Sequence, residues 1–160
     1  MKGILLAITL AAASVSPALA DVHKHNAARV SFWLPDSWKV SGDEKTELKV
    51  IDPSKQVAML FTMGNHKDMK AALAGIDAAL SKVATDVKMG EPQESTLNGM
   101  PVTIVDGKGK AEGHRVELSV LVVHAPGDHF LTILGIEDAE HKHEHDAELE
   151  KFLSSISPSK

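Results

Sequence analysis

From Val116 onward, even positions carry Val116, Leu118, Val120 and Val122, while odd positions begin polar at Glu117 and Ser119 and turn apolar at Leu121 and Val123. A period of two predicts a strand that is half-buried at one end and buried on both faces at the other. Phe130-Leu131-Thr132-Ile133-Leu134 is apolar on both faces and reads as an inner strand. With Leu97-Asn98-Gly99-Met100-Pro101 before these runs and Pro126-Gly127-Asp128 between them, residues 97–136 predict a three-stranded antiparallel meander, with a helix packed over each side.

Upstream, Val30, Phe32 and Leu34 alternate with Ser31 and Trp33 in a first strand that Pro35 ends. Trp38-Lys39-Val40 follows a turn at Asp36-Ser37, and the chain turns again at Ser41-Gly42-Asp43-Glu44. Leu48 to Ile51 and Val57 to Met63 are further strands, joined by Asp52-Pro53-Ser54-Lys55. Asp68 can cap a helix of about four turns whose stripe is Met69, Ala72, Leu73, Ile76, Ala79, Leu80 and Val83. Packing accounts for every residue of it. Lys88 to Leu97 reads as an irregular strand interrupted by Pro92, which suits an edge or a bulge. Asp138 can cap a final helix with the stripe Leu149, Phe152, Leu153 and Ile156, ended by Pro158. The predicted class is α+β: a single-domain antiparallel sheet of about six to seven strands (two hairpins, helix, meander, helix) flanked by helices.

The first 20 residues alter the setting. Lys2, the apolar stretch Ile4 to Ala13 and Ala18-Leu19-Ala20 have the order of a secretory signal with cleavage after Ala20. Polar residues 21–28 read as a flexible N-terminal arm, and residues 29–157 as one domain. The expected location is periplasmic or secreted. The apolar part of the leader is too short to span a bilayer. With no Cys in the chain, no disulfide supports the fold. Without the leader the chain keeps 16 basic against 22 acidic residues, a net charge of about −6. That balance argues against nucleic acid or an anionic membrane as partner.

Nine His in a chain without Tyr or Cys are the unusual chemical feature. After cleavage the chain would begin Asp21-Val22-His23. A His at position three can join the α-amine and two backbone amides in a square-planar set of four nitrogens, which suits Cu(II) or Ni(II), with His25 as an additional ligand. The alternative is a solvated arm. In His141-Lys142-His143-Glu144-His145, a helix would place His141 and His145 one turn apart with Glu144 and Glu148 adjacent. Two imidazoles and a carboxylate can hold Zn(II), Ni(II) or Cu(II); a solvated first helical turn explains the same residues. His114 and His124 share one strand face but lie about 33 Å apart at roughly 3.3 Å per residue, too far for one site. His129 can meet His124 across the turn, as a pair or in ordinary cross-strand packing. Enzyme motifs are missing. Ser37, Ser41 and Ser54 lack a nucleophile elbow, and Gly107-Lys108-Gly109-Lys110 lacks the context of a phosphate loop. Met59 and Met63 read as core filler.

Phe32-Trp33-Leu34-Pro35 with Trp38, then Leu97-Asn98-Gly99-Met100-Pro101, and Ser155-Ile156 before Pro158 resemble the PsbP-like fold family. That family is named for the extrinsic subunit of the oxygen-evolving complex, and a Ran-binding nuclear-import protein shares its fold. The resemblance covers almost all of the chain after the leader. It implies a central antiparallel sheet between helices, no enzymatic activity, and a role in binding or assembly; the expectation is no required cofactor and a protein or small-molecule partner. It carries no functional residue onto a position of this chain. The reading is a non-enzymatic secreted or periplasmic binding protein whose partner uses the sheet edge or a groove between sheet and helix. The alternative is a metal-binding protein using Asp21, Val22, His23 and His25, or His141 and His145.

Overall fold

In the computed structural model, which describes residues 22–64 and 68–159, the period-two segments become long strands. The chain runs β1 (Val22–His25), β2 (Val30–Trp33), β3 (Lys39–Asp43), β4 (Glu47–Ile51) and β5 (Val57–Gly64). Two short helices follow, α1 (Met69–Ala74) and α2 (Ile76–Leu80), then β6 (Thr85–Met89) and β7 (Gln93–Leu97). The meander is β8 (Met100–Ala111), β9 (His114–Ala125) and β10 (His129–Asp138), before α3 (Asp146–Ser155) and β11 (Ser157–Pro158). The main sheet has the order β3-β4-β5-β10-β9-β8-β6, with β7 also on β8; β1, β2 and β11 make a small second sheet. Every pairing is antiparallel.

β9 and β10 are inner strands, and Val120 to Val123 are all buried. The two faces of the sheet carry separate cores. One packs against α3 and the small sheet. There Phe32 stacks on Phe61 at 4.9 Å, and Phe152 meets both rings edge-on at 5.6 and 6.0 Å. Aromatic pairs at such separations add to the burial energy of the rings. The other core packs under α1 and α2 through Ala72, Ile76 and Leu80. A helix thus lies on each side of the meander, as the pattern predicts. Asp68 caps α1 by accepting from the Ala71 amide.

The Leu97–Pro101 motif has a specific task. Asn98 and Gly99 both adopt positive φ, 46° and 85°, in the β7–β8 turn, where Asn and Gly are the residues that tolerate it. The Asn98 amide then donates to the carbonyls of Ser154 at 3.0 Å and Ile156 at 2.6 Å, satisfying carbonyls that the end of α3 leaves without partners. Ser155 accepts from the Trp33 amide at 2.8 Å. Three separated motifs are one tie.

Four expectations need correction. The sheet has eight strands, with three more in the small sheet, rather than six to seven in all. Residues 22–25 are not an arm: they pair with β2, and in the turn after them the Arg29 amide donates a hydrogen bond to the Asn26 carbonyl. Burying His25 and Ala28 against the sheet is what orders this segment. The predicted four-turn helix is broken at Gly75, which caps α1 and begins α2; Gly is the least helix-favouring residue after Pro. The last helix begins at Asp146, not after Asp138, because Asp138 still pairs with Val116 as the end of β10. The leader and Asp21 lie outside the described residues.

Candidate binding groove

α3 is ten residues long, about 15 Å at 1.5 Å per residue, too short to roof the face it packs on. Phe152 and Leu149 hold it over β5 and β10, and the strip toward β9 and β8 stays open. The result is a groove of about 410 Å³. Register places its floor: Met59 opposes Gly135, Gly135 opposes Ser119, and Ile133 opposes Leu121. Leu149, Phe152 and Leu153 form the wall. Leu153 is 40% exposed, one of the two large apolar side chains that face solvent among the described residues. Gly135 keeps the floor low. A Cβ there would meet only the Ser119 carbonyl oxygen at 3.6 Å and its Cβ at 3.9 Å, so the strand does not need a glycine at this point and the groove depth does.

The far rim is acidic. Asp106, Glu117 and Glu137 stand along it. Asp106 accepts from Ser119 at 2.7 Å, and Glu117 lies 3.8 Å from Lys108. Glu137 is different. Its Oε1 is buried without a hydrogen-bond partner. Burial, with Asp146 adding repulsion, raises its pKa above the ordinary glutamate value, against the pull of His145 and His143. A donor or a cation arriving in the groove would relieve that cost.

Beside this rim sits a polar knot at the start of α3. His145 precedes the helix, its Nε2 3.1 Å from the Gln56 Oε1 and 3.5 Å from Asp52, with its ring edge-on to Trp38. Burial pushes the Asp52 carboxyl up. Hydrogen bonds from the Ser54 hydroxyl and the Val57 and Ser54 amides, with the nearby His145 adding electrostatic attraction, outweigh that and hold it below its usual value. Ser54, Asp52 and His145 are the residue types of a hydrolytic triad in the wrong order. The hydroxyl donates to the carboxylate, so no imidazole takes its proton.

Of the predicted metal ligands, Asp21 lies outside the described residues, and the others are placed as follows. Val22 is exposed, and His23 is half-buried on β1 with its ring stacked 6.2 Å from Phe32. His25 is fully buried: its Nδ1 accepts the Ala28 amide at 3.2 Å, and its Nε2 has no partner. Burial lowers its pKa against the pull of Glu44. It shares a strand face with His23, but its ring is enclosed in the core and its Nδ1 is committed to the Ala28 amide. A square-planar set at the N-terminus would also need the α-amine of Asp21, which lies outside the described residues. His141 and His145 are not on one helical face either. His141 lies in the preceding turn, 3.2 Å from Asp138, while His143 meets Asp146 at 3.0 Å. Among the described residues, no three His, Asp or Glu stand close enough to hold a metal ion. His124 stacks on Phe130 at 4.7 Å and meets Asp128, not His129, in cross-strand packing.

The sequence pattern offers a sheet edge or a groove between sheet and helix for a partner and names no residue of either as a site. The legible signal was the odd face of β9, where Glu117 and Ser119 precede Leu121. Gly135 inside an apolar strand was the other.

A PsbP-like fold follows from this architecture, and solved structures agree. The chain is similar to the cyanobacterial PsbP (CyanoP) of Synechocystis sp. PCC 6803, with a TM-score of 0.63 and 8% identity over 89% of this chain and 94% of that one. LpqN of Mycobacterium tuberculosis, described as involved in cell envelope biogenesis, gives 0.57 and 12% identity over 91% and 88%. Protein PA94 of Pseudomonas aeruginosa, of unknown function and described as a putative regulator, gives 0.56 and 11% over 88% and 98%. No family model matches the sequence, and no curated protein does either.

Proposed function

We propose that this is a non-catalytic binding protein of the cell envelope or exterior, whose groove beside α3 receives an apolar segment of a partner protein flanked by Lys or Arg. The observation that carries the reading is Glu137: a buried carboxyl oxygen without a partner, at the acidic end of an apolar trough. Charge complementarity selects the flank, and the floor of Met59, Leu121 and Ile133 selects the apolar body. The leader-like first 20 residues support an exported location, and LpqN's link to envelope biogenesis is in keeping with it.

A labelled amphipathic Leu/Lys peptide, followed by fluorescence anisotropy, tests this. It is expected to bind the protein, to lose at least tenfold in affinity to Gly135→Val, which fills the floor, and to weaken with Glu117→Lys. A Leu/Glu peptide that binds equally well, or peptide binding untouched by Gly135→Val, would overturn the reading.

A further inference from the structure

On the opposite face of the sheet, α1 and α2 end at Leu80 and the chain descends through Ser81–Ala84 into β6. The face beyond them is left uncovered. Leu60, Val116 and Ile136 floor a cleft of about 750 Å³ there, with Val83 as a wall. Ligand sites in proteins commonly have volumes of about 300–1,000 Å³. Lys49 from β4, Lys55 from the β4–β5 turn and Lys82 from the segment after α2 line its mouth. They come from three separate parts of the chain. Lys110 also lines it, but its ammonium is engaged with Asp86 at 2.8 Å. Two carboxylates face the same space, Glu112 and Asp138. Asp138 is already committed to the Glu140 amide at 2.9 Å and to His141 at 3.2 Å. Among the described residues, no carboxylate lies within 4.0 Å of the amines of Lys49, Lys55 or Lys82.

A chain of net charge −5 therefore gathers three uncommitted ammonium groups around an apolar floor. We infer that this cleft binds a single-chain anionic amphiphile, its alkyl chain on Leu60, Val116 and Ile136 and its phosphate or carboxylate head among Lys49, Lys55 and Lys82. Lysine stems can also shield apolar surface with no ligand at all, and that bland role makes no distinction of charge. The inference stands apart from the groove beside α3, which lies on the other face and has an acidic rim.

Calorimetric titration with dodecyl phosphate, below its micellar concentration, tests it. One equivalent is expected to bind, with at least a tenfold loss in the Lys49→Glu/Lys82→Glu variant and a similar loss in Lys55→Glu. Gly135→Val, in the other groove, is expected to leave this binding unchanged. Circular dichroism checks that each variant is folded; all three lysines are exposed. Four results would each overturn the inference: no binding to the folded protein; dodecyl maltoside binding as tightly, which removes the charge; inorganic phosphate supplying the whole affinity, which removes the chain; or loss of binding in Gly135→Val, which moves the site.

Discussion

His25 is the residue at which burial and chemistry are most opposed. Its ring is wholly enclosed, one nitrogen is spent on the Ala28 amide, and the other has nothing to donate to. Burial lowers its pKa in the folded state, so the unfolded chain binds a proton more readily there. The folded state therefore loses stability as pH falls through the unfolded value of 6.5 toward the lower folded one. Glu137 has the opposite sign: its raised pKa means the folded state holds the proton longer, so its contribution falls as pH rises above 4.5. Thermal melts between pH 7.5 and 5.5 are expected to show a falling midpoint. His25→Asn, which keeps an acceptor for Ala28 and cannot titrate, is expected to flatten that fall. An unchanged slope in the variant would assign the pH dependence elsewhere. Asp21, Val22 and His23 were legible as a ligand set only by counting from the expected cleavage point. That count carries no information on the β1 ladder, in which Val22 and His23 pair with Trp33 and Phe32.

At the scale of elements, α3 divides its apolar residues between two tasks. Phe152 is 2% exposed and wedged between Phe32 and Phe61, whereas its neighbour Leu153 is 40% exposed on the groove wall. In urea unfolding, Phe152→Ala is expected to cost about 3–5 kcal/mol, the range for a buried phenylalanine. Leu153→Ser is expected to stay within about 0.5 kcal/mol, as surface changes do. Equal costs would mean that Leu153 serves the core and not a partner. The sequence pattern put both residues on one stripe, and a stripe does not tell a filled face from an open one. The start of α3 differs from the pattern for a similar reason. Asp138 has the chemistry of a cap, but strand pairing to Val116 claimed it first.

Across the whole molecule, the two ends of the described chain meet on one strand, since β1 and β11 both pair with β2. The small sheet they form holds Phe32 against the main one. The meander stands between two separately packed faces, so its amides should open last. In native-state hydrogen exchange, Val120 to Val123 and Leu131 to Leu134 are expected to be the slowest group. α1 and α2, broken at Gly75 and exposed along much of their length, are expected to exchange faster. Slow exchange in α1 and α2, with fast exchange in β9, would contradict the two-faced core.

Period-two and helical spacing determined by themselves the strands of the meander and the apolar stripes of the packing helices, though not the helix bounds, because alternation of apolar side chains is a local consequence of which face is buried. The Asn98-Gly99 turn was legible for the same reason, as positive φ restricts residue type on the spot. Only the tertiary structure decided that Asn98 would tie off α3, that His25 would be enclosed, and that His141 and His145 would part company. It alone left one apolar trough with an acidic rim and another with a basic one. Those outcomes depend on which strands become neighbours and on how far a short helix reaches across a wide sheet, and neither is encoded in the spacing of any single segment.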